Sequence, residues 1–332
     1  LSRRQRQMCI RDSITVIGCG RWGSLITWYL DHIGHRVTLY GRAASPRMQA
    51  FLTTRQNDLL TLPESVALST ALDAALESAE TVIISIGSQS LRSLLGQSEL
   101  QALRSRTVVL CMKGLEMGTG ARLSQIAAEL LHPSNTVAVW LGPGHVQEFY
   151  RGIPNCMVID SENEDVKRRL VQAFSSDLIR FYYGGDMIGN EVGAAAKNVV
   201  GIAAGFLDGF EMSSLKGALM SRGTREVARL IKAMGGSELS AYGLCHLGDY
   251  EATVFSPYSH NRQFGESFVR GQDYHQLAEG YYTVKALMLL GQRYGVELPI
   301  CKAVHDILYE QAVPRDVLAG LLRRGLTEEF YD

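Results

Sequence analysis

Cysteine is sparse and unpatterned. None of the six (Cys9, Cys19, Cys111, Cys156, Cys245, Cys301) forms a Cys-x-x-Cys pair or stands at zinc spacing with histidine. Free thiols in a reducing compartment are the plain reading. Long apolar runs are also missing. The longest weakly charged stretch, residues 192–207, is interrupted by Lys197 and Asn198 and falls short of the ~20 residues of a spanning helix. No charge sign dominates: the net charge of −1 gives no electrostatic case for nucleic acid or an anionic membrane. Proline is scarce at 8 residues, whereas glycine reaches 33 of 332, a surplus that asks for tight turns and close backbone contacts. A 46% hydrophobic, 20% charged composition excludes disorder. The length predicts about two domains of roughly 150 residues and burial of about 75% of the unfolded surface, with no need of disulfide or metal.

The first residues read as something other than protein. The string RRQRQMCIRD at residues 3–12 back-translates, codon for codon in one frame, to a common transposase sequencing adapter. As a targeting peptide it lacks an apolar core and a long amphipathic stretch. Residues 1–13 are therefore expected to be an assembly artefact, with the natural chain starting near Ser13. Four arginines and one aspartate leave with the segment, which takes the net charge from −1 to −4.

Short apolar runs then alternate with helical stretches. Strands are expected at 14–17, 36–40, 81–86, 107–112 and 136–141, with 155–160 and 179–183 extending the same sheet. Helical patterns fall at 22–33, 71–79, 91–95 and 120–131. This alternation predicts a doubly wound parallel α/β sheet of the Rossmann-like kind. Beyond Asp186 the pattern is helical throughout, at 187–207, 215–234, 273–294 and 302–311. The expected division is a dinucleotide domain at 14–184 and a helical substrate domain at 185–332.

Residues 18–23, Gly-Cys-Gly-Arg-Trp-Gly, form a G-x-G-x-x-G directly between the first strand and the first helix. Gly18 permits the tight turn, Gly20 admits a pyrophosphate to the backbone, and Gly23 packs helix on strand. A carboxylate ending the second strand would read the ribose hydroxyls of NAD. The chain has Tyr40-Gly41-Arg42 there. Arg42 either pairs with the 2′-phosphate of NADP or is a solvated surface arginine.

Gly189, Gly193, Lys197, Gly201 and Gly205 recur every four residues, a stripe along one helix face. A lysine amid small and apolar neighbours is desolvated, which lowers its pKa toward acid–base use. The other reading is a lysine snorkelling from a helix-packing seam. The stripe itself is expected to pack helices closely, across a dimer if the protein pairs. Lys113-Gly114 follows a strand at its carboxyl end, where doubly wound sheets bind ligands. The turn ending in Asp249 and the polar cluster Ser259, His260, Asn261, Arg262 are either site residues or solvated loops.

Together these segments resemble the bacterial-type NAD(P)-dependent glycerol-3-phosphate dehydrogenase family. The matching pieces are GCGRWG at 18–23, MKG at 112–114, GP at 142–143, DMIGNEVGAAAKN at 186–198 and SRG at 221–223. GLCHLGD at 243–249, SHNRQFG at 259–265, AEG at 278–280 and ELP at 297–299 complete them. The resemblance implies a Rossmann-like domain followed by an all-α domain of the 6-phosphogluconate-dehydrogenase-like type. It implies reduction of dihydroxyacetone phosphate to sn-glycerol 3-phosphate, reversibly, with NADP or NAD as cofactor and no metal. It further implies a cytoplasmic enzyme of glycerophospholipid metabolism, a homodimer whose substrate is a phosphorylated triose. Lys197 would be the general acid/base, with Asp249 and Lys113 as its catalytic companions. Lys113, Gly142, Asn198, Asp249, Ser259, His260, Asn261 and Arg262 would meet the substrate. Gly18, Gly20, Arg21, Trp22, Gly23, Arg42, Lys113, Val146 and Glu279 would meet the cofactor.

Some positions depart from the family pattern. Ser259-His260-Asn261 stands where Ser-Arg-Asn is usual, and Gly144-His145-Val146 replaces Ser-Phe-Ala. His246 and Tyr250 replace the Gly and Leu of an Ala-Gly-x-Gly-Asp-Leu turn, and residues 214–217 replace Asn-Ala-Lys-Ala. Histidine is a weaker phosphate ligand than the arginine fork, and Arg262 compensates only if the helical rotation away from position 260 still aims it at the phosphate. The alternatives are a related dehydrogenase of another small oxo or hydroxy compound, and a dinucleotide-binding paralogue without turnover. Three added histidines (His145, His246, His260) lack the close spacing of a metal site.

Overall fold

A computed structural model describes residues 12–323 and residue 329. The expectation for residues 1–13 falls mostly outside this range. Ser13, however, already opens the first strand, and the Asp12 carbonyl accepts from the Arg36 amide at 3.3 Å. The chain divides into two compact units. One comprises Leu1–Met112 and Leu123–Gly185, the other Lys113–Arg122 and Asp186–Asp332. The short excursion Lys113–Arg122 thus packs with the later half of the chain.

The first unit is one eight-stranded sheet: β1 (Ser13–Ile17), β2 (Arg36–Tyr40), β3 (Ala67–Ser69), β4 (Thr81–Ile84), β5 (Thr107–Leu110), β6 (Thr136–Leu141), β7 (Asn155–Asp160) and β8 (Ile179–Tyr183). Their spatial order is β3-β2-β1-β4-β5-β6-β7-β8. β1, β4 and β5 are buried along their whole length, as apolar runs covered on both faces must be. The switch from β1 to β4 sets the crevice in which such sheets receive ligands. Helix α1 (Arg21–His32) leaves β1 through the glycine turn and buries Leu25, Ile26, Tyr29 and Leu30 against the sheet.

The sheet departs from the all-parallel expectation at one pair, because β6 and β7 run antiparallel. Between them lie only residues 142–154, carrying the five-residue helix Val146–Tyr150. That connection turns the chain back beside β6. An apolar run buried on both faces carries no mark of its direction. Strand β3 was not expected; three residues are too few for a periodic signal.

Among its described residues the second unit is built of helices and turns, apart from the excursion Lys113–Arg122, where Leu115 and Arg122 form an isolated antiparallel bridge. Its axis is α2 (Met187–Gly209), 23 residues long and buried from Gly189 to Leu207. Around it stand α3 (Lys216–Ala233), α4 (His260–Val269), α5 (Glu279–Tyr294) and α6 (Pro299–Tyr309). Helix α4 corrects the loop reading of the Ser259–Arg262 cluster, while α5 begins six residues later than the helical pattern at 273. The glycine stripe explains the close approach. A Cβ on Gly205 would stand 2.1 Å from the Arg262 carbonyl, and one on Gly265 would stand 2.2 Å from that of Ile202. The later part of the stripe, Gly201 and Gly205, therefore seats α4 on α2 within one chain, while Gly189 and Gly193 face Ser240 and His246, so its glycines give no argument for a dimer.

Candidate active site

Lys197 lies at the middle of α2 and is buried, with 6% of its surface exposed. Its Nζ stands 2.7 Å from Asp249 Oδ2 and donates to Thr253 Oγ1 at 2.7 Å. Lys113 Nζ donates to the same Asp249 Oδ2, also at 2.7 Å. Two ammonium groups thus share one carboxylate oxygen. The other oxygen, Oδ1, is buried with no hydrogen-bond partner among the described residues. Burial lowers the Lys197 pKa to about 8, with Asp249 pulling it up and Lys113 pushing it down. A lysine so placed can give or take a proton near neutral pH.

Several elements build this cluster. Lys113 arrives on the Lys113–Arg122 excursion. Leu115 is fully buried in the core around α2, Arg122 pairs with Glu191 at 2.6 Å, and Arg293 donates to the Thr119 carbonyl at 2.9 Å. Asp249 ends a short 3-10 turn (Leu247–Asp249), and Thr253 lies in the π-helical turn Glu251–Phe255 that follows. The wide turn puts Thr253 against Gly201, where a Cβ would meet its methyl at 2.7 Å. Sequence reasoning missed Thr253, since nothing in Tyr-Glu-Ala-Thr announces a π-helix. The only available signal was its place four residues after Asp249.

Beside the cluster lies a second buried pair, His246 and Tyr250. His246 Nδ1 meets the Gly193 carbonyl at 2.8 Å, and its Nε2 meets the Tyr250 hydroxyl at 2.7 Å. A carbonyl can only accept, so Nδ1 carries the proton and Tyr250 donates to Nε2. Burial lowers the His246 pKa to about 4, so the ring is neutral and adds no charge beside Lys197.

A run of side-chain amides extends from the cluster. Asn198 Nδ2 donates to the Lys113 carbonyl at 2.8 Å, and Asn261 Nδ2 donates to Asn198 Oδ1 at 3.1 Å. The Gly280 amide then donates to Asn261 Oδ1 at 2.9 Å, fixing the start of α5 and with it Glu279. Asn198, Asn261 and Glu279 are therefore brought toward Lys197. Ser259 caps α4 by accepting from the Arg262 amide at 3.3 Å. His260 Nδ1 lies 2.6 Å from the Tyr274 hydroxyl.

Arg262 is engaged elsewhere. Its Nη1 pairs with Asp208 at 2.7 Å and Glu266 at 3.0 Å, and its carbonyl packs on Gly205. Gly205 lies two turns beyond Lys197, about 12 Å along the helix axis. The guanidinium answers carboxylates where the departure from the family pattern asked it to answer phosphate. Of the three added histidines, His246 and His260 have separate partners within the second unit, and His145 belongs to the first unit. Among the described residues no group of His, Cys, Asp and Glu could hold a metal ion.

In the first unit the glycine loop has the form of a dinucleotide cradle. Gly18 has φ +115°, and a Cβ there would stand 2.2 Å from the Ser85 carbonyl. A Cβ on Gly23 would stand 1.9 Å from the Gly18 carbonyl. On Gly20 it would meet only Arg47 Nη1, at 3.9 Å, so that face of the backbone is open. An open backbone at a helix N-terminus, here beside a guanidinium, fits a pyrophosphate. Arg47 is a second residue that sequence reasoning passed over. Arg21 opens α1, and Trp22 packs edge-on against Phe149 at 6.0 Å. Gly142 follows β6 with φ +129°, Val146 is buried, and Arg42 stands exposed just beyond β2.

Comparison with known proteins agrees with these two halves. A model of the NAD-dependent glycerol-3-phosphate dehydrogenase N-terminus matches residues 13–167, and one of the C-terminus matches residues 186–319. The glycerol-3-phosphate dehydrogenase (NAD(P)+) of Prosthecochloris aestuarii is 31% identical over 331 residues, covering 96% of this chain and 99% of that protein. A Salinibacter ruber protein of the same name is 33% identical, covering 96% and 97%. The crystal structure of glycerol-3-phosphate dehydrogenase from Coxiella burnetii superposes with a TM-score of 0.87 at 27% identity, covering 95% of this chain and 99% of that one.

Proposed function

The chain belongs to the NAD(P)-dependent glycerol-3-phosphate dehydrogenase family, and we propose that it interconverts dihydroxyacetone phosphate and sn-glycerol 3-phosphate at Lys197. The observation that carries this reading is the buried Lys197–Asp249–Lys113 cluster with its shared Oδ2 and partnerless Oδ1. When bound, the reduced nicotinamide supplies the hydride that reduces the carbonyl carbon. Lys197 Nζ gives its proton to the carbonyl oxygen, so the ketone becomes an alcohol and the lysine is left neutral. In the reverse direction the neutral amine takes the hydroxyl proton. Lys113 steadies negative charge on the oxygen, and Asp249 Oδ1 accepts from a substrate hydroxyl. Residues 18–23 hold the pyrophosphate with Arg21 and Trp22 beside it, while Gly142 and Val146 of the same unit border the nicotinamide side.

The substrate phosphate is assigned to the first turn of α4, where His260 and Asn261 stand on a helix start capped by Ser259. Arg262 supports that turn through Asp208 rather than meeting the phosphate. No helix among the described residues is long and apolar enough to cross a membrane, and five described cysteines are unpaired. Both observations support the cytoplasmic location included in this proposal. A homodimer is included too, supported by the edge strand β8 with Tyr182 and Tyr183 43% and 54% exposed; light scattering tests it.

The deciding assay follows oxidation of reduced nicotinamide with dihydroxyacetone phosphate, using the chain from Ser13 onward. Lys197→Ala is expected to lower kcat by at least about a thousandfold while the protein stays folded. Dihydroxyacetone without its phosphate is expected to react far more slowly. Equal rates with the two ketones, or an active Lys197→Ala enzyme, would sink the reading.

A further inference from the structure

Asp249 has to stay in place while a partner changes charge. Its Oδ2 is gripped by Lys113 and Lys197, and its Oδ1 has no partner among the described residues. When Lys197 gives up its proton, one of these two ionic contacts weakens. The carboxylate must therefore be placed by its backbone, and the turn that carries it is short. The Asp249 and Tyr250 amides close it on the His246 and Leu247 carbonyls at 3.0 and 3.1 Å. A single 3-10 turn of this kind holds its own geometry poorly.

Two buried side chains flank that turn. His246 stands at its start and Tyr250 directly after Asp249, and both are 0% exposed. His246 packs on α2 at Gly193, where a Cβ would come to 3.0 Å from its own. Its Nδ1 donates at 2.8 Å to the Gly193 carbonyl, the same carbonyl that in a helix accepts from the amide four residues on, that of Lys197. The Tyr250 ring lies in an apolar cluster with Val200 and Ala204 of α2. Its hydroxyl faces α3, where a Cβ on Gly223 would stand 3.3 Å away. That hydroxyl donates to His246 Nε2 at 2.7 Å. The two ends of the turn are thus tied to each other, and both are seated on the helix that carries Lys197. Burial pushes the Tyr250 phenol up and brings the His246 imidazole down to about 4, so the tie itself does not titrate near neutral pH. The charged groups facing Lys197 are Asp249 and Lys113, and those facing Tyr250 are Glu226 and Cys301.

We propose that His246 and Tyr250 are positioning residues that hold the Asp249 carboxylate between Lys113 and Lys197 throughout proton transfer. The assignment rests on Lys197 as the acid/base and deepens it by naming what keeps its partner in register.

The test reads Lys197 directly, by NMR titration of protein labelled at lysine Cε, with the Lys197 signal identified by its loss in Lys197→Met. Asp249 pulls the Lys197 pKa up, so a loosened turn lets it fall. Tyr250→Phe, which deletes only the hydroxyl, and His246→Leu are each expected to lower the midpoint by about 0.5 pH unit or more. His246→Asn keeps an amide donor for the Gly193 carbonyl and is expected to move it less. In turnover, kcat for ketone reduction should fall about tenfold in Tyr250→Phe, its falling limb should move to lower pH, and KM for the reduced coenzyme should hold. A Tyr250→Phe protein that melts earlier but keeps the parent midpoint and kcat overturns the proposal, as does a midpoint that rises. A lowered midpoint in a protein whose parent does not reduce dihydroxyacetone phosphate would overturn the proposed reaction and leave the positioning role standing.

Discussion

Lys197 was legible because a charge was out of place. It is the one cation in an apolar, glycine-striped run, and burial brings its pKa to about 8. The sign of the pH dependence follows. Reduction needs the ammonium form, so kcat for ketone reduction is expected to fall as pH rises through about 8. Oxidation needs the free amine and should rise over the same range. Two profiles flat between pH ~7 and ~9 would remove Lys197 from the proton step. Asp249 was legible as a carboxylate on a glycine-flanked turn. Thr253 was not, because its hydroxyl reaches Lys197 only through a π-helical turn. Thr253→Val keeps the shape and deletes the bond at 2.7 Å, and kcat is expected to fall about tenfold. An unchanged kcat and pH profile would make the threonine a packing residue only. The engagement of Arg262 was equally hidden, since its acidic partner Asp208 is 54 residues away in sequence.

Elements with a strong period were read well, and elements with a weak one were not. The strands at 36–40, 136–141, 155–160 and 179–183 match the observed bounds, the second and third as mostly buried runs and the first and last as alternating ones, both set between turn residues. Helix α4 was not expected as a helix, because it opens with Ser-His-Asn-Arg, a polar string. Its apolar face is Phe264, Phe268 and Val269, of which Phe268 meets Phe206 of α2 at 6.2 Å. What holds α4 is missing side chains on its neighbour. Gly205→Ala places a methyl 2.1 Å from the Arg262 carbonyl and is expected to cost roughly 1–3 kcal/mol. Chemical denaturation measures it, and a shift within ±0.5 kcal/mol would mean that α2 and α4 can part freely. The direction of β7 was beyond the sequence for a different reason, since a twofold-buried strand looks the same read toward either neighbour.

At the scale of the molecule, two units share one chain in an interleaved way. The excursion Lys113–Arg122 belongs to the second unit, although it is flanked by strands of the first. Leu115 is fully buried in the helical core, so Leu115→Ala is expected to cost roughly 2–5 kcal/mol. Calorimetry should show the loss, and activity should fall at temperatures where the segment carrying Lys113 loosens. A thermal transition identical to that of the parent protein would show the segment to be a passenger. The sequence by itself determined the fold class, the glycine loop and the lysine desolvated in its glycine stripe, because apolar runs, a four-residue period and a misplaced charge are local properties of a chain. Only the tertiary structure decided that Lys113 and Lys197 share one carboxylate oxygen, that Arg262 serves Asp208, and that Arg47 overlies Gly20. Each of these joins residues far apart in sequence, and hydrogen bonds and close packing between distant segments leave no periodic trace in either segment alone.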